Sequence, residues 1–257
     1  MRACAAATVV VAVLFASGCT TTNPAAPKEE RAAYDSWEPL NRRVHSFNDT
    51  VDRFTFKPLA KGYEAVFPRF IRTGINNFSR NLRTPLFMIN NLLQGKGKRS
   101  LSETGRLIVN TAFGVGGLFD VATQMGMETY REDFGQTLAV WGVPDGPYVV
   151  IPIFGPRTLR DATMIPLNFF ADPLLYMDHD RTRRTIYFVR AVDLRAELFP
   201  AEALIEDSYD RYLAIRESYL QNRRFLIYDG DPPEDDDFYD DFEDFEDEDI
   251  EDAQPLN

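Results

Sequence analysis

Trp37, Leu40, Val44, Phe47, Val51 and Phe54 recur at three- and four-residue steps. That spacing keeps one face of a helix apolar. Asp35, with Glu38 three residues on and Pro39 near the start, predicts the N-terminus of this helix. Pro58 restarts the chain into a short second helix carrying Leu59, Tyr63 and Val66, and Pro68 ends it. Phe70, Ile71, Gly74, Ile75, Phe78 and Leu82 set a third stripe. Thr84 and Pro85 predict a new turn running to Leu93, closed by Gly95. Ser100 and Glu103 read as a capping box for the next helix. Further on, the pattern predicts helices over 158–170 and 182–196 and a long one over 201–225. At 25 residues the last would be ~37 Å long. The one strand-like run, 148–154, is interrupted by Pro152. The predicted fold class is all-α.

Two apolar stretches break this rhythm. Residues 107–127 carry one charge, Asp120, and by length alone could span a bilayer. Gly114, Gly116 and Gly117 interrupt them, each costing about 1 kcal/mol relative to Ala inside a helix. Two short helices joined by a Gly bend are therefore expected. Residues 140–156 are apolar and aromatic but hold Gly142, Pro144, Gly146, Pro147, Pro152, Gly155 and Pro156, so neither helix nor strand is expected. In lipid, irregular backbone persists only where protein or a water-filled cavity satisfies its polar groups, which suggests a cavity wall, with a buried loop of a soluble core as the other reading.

The first 18 residues read as an export signal: Arg2, then an apolar run too short to span a bilayer, then small residues up to Cys19. Ala16, Ser17, Gly18 and Cys19 resemble the bacterial lipobox, in which the Cys thiol takes a diacylglyceryl group and its freed amine is acylated. Ala16 stands where Leu is usual. Three acyl chains anchor far better than one. Thr20 rather than Asp follows Cys19, which points to the outer membrane. The tether, 19–34, includes 15 residues beyond Cys19 that reach at most ~50 Å.

The net charge of −12 divides unevenly: 16 of the 40 acidic residues lie in 229–257. Residues 19–228 carry +3, so the helical domain over 35–228 is nearly neutral and the low isoelectric point describes the tail. That tail, with Phe238, Tyr239, Phe242 and Phe245 among the acids, reads as a disordered solvating segment. Docking on a basic partner is the sharper alternative. No dense basic stripe marks a nucleic-acid surface. Cys19, His45 and His179 are too few for a Cys/His zinc site. His45 reads as a surface or interface histidine, and Asp178, His179 and Asp180 as a polar turn between helices. Neither a nucleophile elbow nor a P-loop occurs, and Gly114, Gly116 and Gly117 lack the strand and spacing of a dinucleotide loop. Nothing points to an enzyme or to a cofactor.

From Asp35 onward the chain resembles the MlaA (VacJ) lipoproteins of Gram-negative outer membranes. The resemblance rests on ordered pieces: Asp35 to Arg42, Lys57 to Tyr63, Asn77 to Leu82, Asn91 to Gly95, Arg106 to Asp120, Glu132 to Leu138, Trp141 to Val143, Gly146 to Tyr148, and Arg160 with Asp161. Ser36 departs from the family's usual Pro. The resemblance implies a ring-like helical body in the inner leaflet of the outer membrane. An amphipathic channel would pass phospholipid towards the periplasm. A trimeric porin would hold the body, and a soluble periplasmic carrier would take the lipid. On this reading Gly114, Gly116, Gly117 and Asp120 are expected near the passage. Asn77, Asn81 and Asn110 are the candidate polar groups on its headgroup side, with helix capping or core hydrogen bonding as their other reading. The rival reading is a structural adaptor that binds a porin without moving lipid.

Overall fold

The computed structural model describes residues 35–206 and 208–233. Cys19, the leader, the tether and the acidic residues from 234 onward lie outside the described residues.

Helix α1 (Glu38–Val51) has Pro39 in its first turn, but Trp37 is its N-cap and no side chain caps it. Asp35 is used elsewhere: its buried carboxylate accepts from Asn41 Nδ2 at 2.8 Å and from the Tyr212 hydroxyl, and pairs with Arg216 at 3.2 Å. Glu38 pairs with Arg42 one turn on. A π-helical segment (Asp52–Phe56) carries α1 directly into α2 (Lys57–Val66). Its wider turn absorbs Pro58, which has no N–H to give.

Helix α3 (Arg69–Leu93) runs straight through Pro85, so the expected restart at Thr84 does not occur. A proline inside a helix costs about 3 kcal/mol. Packing against the antiparallel α4 (Gly97–Ala112) offsets that cost: Asn81 Nδ2 donates to Thr111 Oγ1 at 3.1 Å, and Ser100 Oγ to the Met88 carbonyl at 2.9 Å. These contacts also undo the expected capping box. Ser100 spends its hydroxyl on α3, and buried Glu103 accepts from the Tyr130 amide, so α4 starts earlier, at Gly97, with Lys96 as its uncapped N-cap.

The expected Gly bend follows α4 and leads to the short α5 (Val121–Gln124). Among the described residues, no helix is long and apolar enough to cross a membrane. After α6 (Phe134–Val140), the stretch read as wholly irregular contains a small hairpin. Strand β1 (Tyr148–Ile151) pairs antiparallel with β2 (Gly155–Thr158), in the register Tyr148 to Thr158. Pro152 lies in the turn, outside the ladder, where its missing N–H costs nothing.

The helix predicted over 158–170 is two, α7 (Leu159–Thr163) and α8 (Ile165–Phe170), broken at Met164 with Pro166 in the next first turn. A 3-10 turn (Pro173–Tyr176) precedes α9 (Asp180–Glu197). The predicted long helix is also two, α10 (Phe199–Ile205) and α11 (Arg211–Ile227). Asp210 divides them by capping the Tyr212 and Leu213 amides.

Two apolar clusters hold these elements. Ala60 and Tyr63 of α2 pack on Val192 and Ala196 of α9. Tyr148 and Val150 of β1 pack on Tyr212 of α11. Buried charge joins α11 to α6 and α7, where Arg223 donates to Asp133 at 2.7 and 2.8 Å and to Asp161 at 2.9 Å. Gly135 makes room for this: a Cβ there would stand 2.2 Å from Asp161 Oδ1.

The distribution of polarity is inverted. Among the described residues, 19 buried side chains are polar or charged and 12 are apolar. Meanwhile Phe54, Phe70, Leu101 and Phe113 are each more than 70% exposed (76, 74, 72 and 74%). In water such a surface forfeits about 25 cal/mol for every Å² of apolar area left unburied. Contiguous exposed apolar surface marks a partner or a membrane.

Candidate functional site

Helices α3 and α4 each turn a polar stripe towards the other. On α3 it is Asn77, Asn81 and Thr84, at steps of four and three; on α4 it is Glu103, Arg106 and Asn110, at steps of three and four. These six, with Arg80, Asp120, Thr123 and Arg131, line a cavity of about 280 Å³.

The floor is a fixed hydrogen-bond network. Arg106 Nη2 donates to both Asp120 oxygens at 2.9 Å and to Thr123 Oγ1 at 2.9 Å. Asn110 Nδ2 donates to Asp120 Oδ1 at 3.1 Å, and Asn110 Oδ1 accepts from the Ala122 amide at 2.8 Å. Asp120 also caps α5 by accepting from the Thr123 amide. Burial opposes its ionisation, but the Thr123, Asn110 and Arg106 contacts outweigh that and hold its carboxyl below the usual range. Arg106 and Asp120 therefore neutralise one another.

Elsewhere the charges are not matched. Burial pushes the Glu103 carboxyl up, against the pull of the Tyr130 amide. Desolvation, reinforced by Arg80 and opposed by Glu197 and Glu103, pushes the Arg131 guanidinium down. Among the described residues Arg131 forms no side-chain hydrogen bond or ion pair. Arg80 reaches only Glu197, at 3.4 Å, with both side chains more than 40% exposed (44 and 43%). An exposed pair of this kind contributes roughly 0–1 kcal/mol.

The glycines do not line the cavity; they shape the turn beside it. Gly116 and Gly117 have φ of 70° and 95°. The turn so formed offers the Leu118 carbonyl to Asn77 Nδ2 at 3.3 Å and the Gly116 carbonyl to Asn81 Nδ2 at 3.3 Å. Gly114 lies too close to backbone for any side chain: a Cβ would meet Phe119 O at 2.2 Å and Asn110 O at 2.4 Å. Asn77, Asn81, Asn110 and Asp120 are thus brought to one cavity, with the three glycines in the adjoining turn. Asn77, Asn81 and Asn110 do hydrogen-bond within the body, as their second reading expected, and line the cavity as well.

The cationic lining, Arg80, Arg106 and Arg131, was not singled out from sequence. Arg106 and Asn110, four residues apart with Glu103 one turn earlier, carried the available signal: a polar stripe on a helix whose Leu101 and Ile108 are exposed. His45 packs its ring edge-on to Tyr212, centroids 5.7 Å apart, and burial lowers its pKa. His179 is the N-cap residue of α9. Among the described residues no cluster of His, Cys, Asp or Glu could hold a metal ion.

The family model for the MlaA lipoprotein matches residues 33–226. An uncharacterized protein of Rickettsia prowazekii is 37% identical over 196 residues, 76% of this chain and 78% of the relative. The intermembrane phospholipid transport system lipoprotein MlaA of Haemophilus influenzae is 32% identical over 228 residues, 87% of this chain and 90% of the relative. A chain solved in work on the structural basis for maintenance of bacterial outer membrane lipid asymmetry matches with a TM-score of 0.65. That match has 34% identity and covers 75% of this chain and 98% of the other.

Proposed function

This chain belongs to the MlaA lipoprotein family, and on that premise we propose that it gives phospholipids a passage from the outer leaflet of the outer membrane towards the periplasm. One observation carries the reading: a cavity lined by amides, hydroxyls, guanidinium groups and carboxylates occurs in a body that leaves many large apolar side chains exposed. A phospholipid presents the same two demands. Its tails are at home along exposed Phe and Leu side chains, while its charged headgroup pays heavily in hydrocarbon unless polar groups meet it. Such a passage lowers a barrier and uses no nucleophile or general base; the direction of flow comes from whatever removes the lipid downstream.

In this reading the body works at the periplasmic face of the outer membrane, held by acyl chains on Cys19. A trimeric porin seats it, and a soluble periplasmic carrier accepts the lipid. The result is retrograde transport that preserves lipid asymmetry.

The experiment deletes the gene in its own bacterium and measures phospholipid accessible to an externally added phospholipase. Accessible phospholipid is expected to rise on deletion and return to the parental level with the intact gene. Cys19→Ala is expected not to restore it. Asymmetry unaffected by the deletion overturns the proposal. Crosslinking followed by purification tests the partners, which predict a porin trimer and phospholipid in the recovered complex.

A further inference from the structure

We propose that the cavity between α3 and α4 is a subsite for a phosphate anion, with Arg80 and Arg131 as the pair of guanidinium groups that grip it. The choice of a lipid phosphodiester as its occupant rests on the passage reading above; the anion chemistry itself rests on the residues.

Three cations, Arg80, Arg106 and Arg131, line the cavity with two carboxylates, Glu103 and Asp120, and only the Arg106–Asp120 pair is closed by direct bonds within it. Arg106 is taken up by Asp120, with two 2.9 Å bonds to its carboxylate. Arg80 keeps only a loose, solvent-facing contact with Glu197. Arg131 makes no side-chain hydrogen bond or ion pair among the described residues; Arg80 disfavours its charge, and Glu197 and Glu103, neither bonded to it, favour it. Glu103, the remaining acid of the lining, is engaged by the Tyr130 amide, and burial raises its pKa. Arg80 and Arg131 line the same cavity, so an anion held there would be met by two guanidinium groups. Their planar forks suit phosphate oxygens better than a chloride or a lone carboxylate oxygen.

A second observation points to a ligand that also donates. Asn81 is 7% exposed and lines the cavity, yet its Oδ1 has no hydrogen-bond partner. Its Nδ2 is already spent on Thr111 and Gly116. A buried acceptor left without a donor is costly, and a headgroup hydroxyl or ammonium beside the phosphate would satisfy it. The volume of about 280 Å³ suits a headgroup and not its acyl chains. Beside the cavity, the turn that binds Asn77 and Asn81 leaves Phe113, Leu118 and Phe119 exposed, an apolar rim for the tails.

The test is calorimetric titration of the full-length protein in an uncharged detergent with three probes: dihexanoyl phosphatidylglycerol, glycerophosphoglycerol and inorganic phosphate. Arg80→Gln with Arg131→Gln is expected to weaken binding by about tenfold or more and to flatten its salt dependence. Both residues are exposed, and the double variant is expected to melt with the parent. Should it melt early, Arg80→Lys with Arg131→Lys serves instead, with an intermediate affinity expected. Arg184→Gln, on exposed α9 surface, is expected to bind as the parent does. Stronger binding of the lipid probe assigns the site to a lipid headgroup; equal binding of inorganic phosphate keeps the anion site and assigns it to free phosphate. Unchanged affinity in the Arg80 and Arg131 variants, or no binding of any probe by the parent, overturns the subsite. The same variants, scored for surface phospholipid in cells, separate the two claims. A parent chain that restores asymmetry while the subsite fails leaves the passage reading standing. One that binds phosphate but restores nothing sinks the passage reading alone.

Discussion

Gly116 and Gly117 are adjacent, both left-handed, and differ in one respect that makes them a controlled pair. A Cβ on Gly116 meets nothing within 4 Å, whereas one on Gly117 stands 2.5 to 2.6 Å from three side-chain atoms of Asn81. Gly116→Ala therefore suffers only the left-handed backbone penalty, about 1–2 kcal/mol. Gly117→Ala suffers that penalty plus overpacking of roughly 1–3 kcal/mol, for a total of about 2–5 kcal/mol. At ~2–4 °C per kcal/mol for a domain of this size, the melting temperature should fall by roughly 2–8 °C for Gly116→Ala and 4–20 °C for Gly117→Ala. Circular dichroism melts of the detergent-solubilised proteins measure both. Because Asn81 must move, Gly117→Ala should also raise surface phospholipid in cells, while Gly116→Ala should leave it near parental. Equal melting shifts, or a larger one for Gly116→Ala, would refute the claim that Gly117 is kept small for Asn81.

Two further outcomes follow from the buried charges. Arg223→Met leaves Asp133 and Asp161 facing each other without their cation, and it should destabilise the fold by about 3–5 kcal/mol in thermal or denaturant unfolding. Burial opposes ionisation of Asp133 and of Glu202. The Arg223 contacts for the first, and Lys57 and Arg195 for the second, outweigh it and hold each carboxyl at about 2. In the unfolded chain these groups protonate near pH 4, so their stabilisation is complete above that range and is lost as pH falls through about 4 towards 2. Melting temperature should fall over that interval, and Asp133→Asn should lower the plateau and flatten the fall; a melt independent of pH there would contradict the assignment.

The helices were legible where apolar residues kept step, as in α1, α2 and α9. Boundaries failed where a polar side chain had a tertiary partner that local rules do not see. Ser100 and Glu103 look like a cap but are drawn off by Met88 and Tyr130. Asp210 ends a stripe that its apolar neighbours continue, because it can cap two amides at once. Pro85 carries the local signal of a restart, yet the contacts of α3 with α4 hold the helix through it. The candidate site was half legible for a related reason. Amides such as Asn77 and Asn81 stand out in an apolar stretch, but an arginine on a helix reads by default as a solvent-facing charge. That default misplaces Arg106, which is buried against Asp120.

The π segment at Asp52–Phe56 has a consequence for helical phase. Each residue advances an α-helix by about 100°, and a π turn holds one residue more than an α turn. Ala60 and Tyr63 therefore face α9 along an azimuth offset from the one that α1, upstream, uses to meet the hairpin. Shortening this segment by a single residue would close it into a plain α-helix and swing everything beyond it by about a quarter turn or slightly more. Either the α2 cluster or the α1 contacts would be lost. The two apolar clusters of the body are thus indexed to each other by one extra residue.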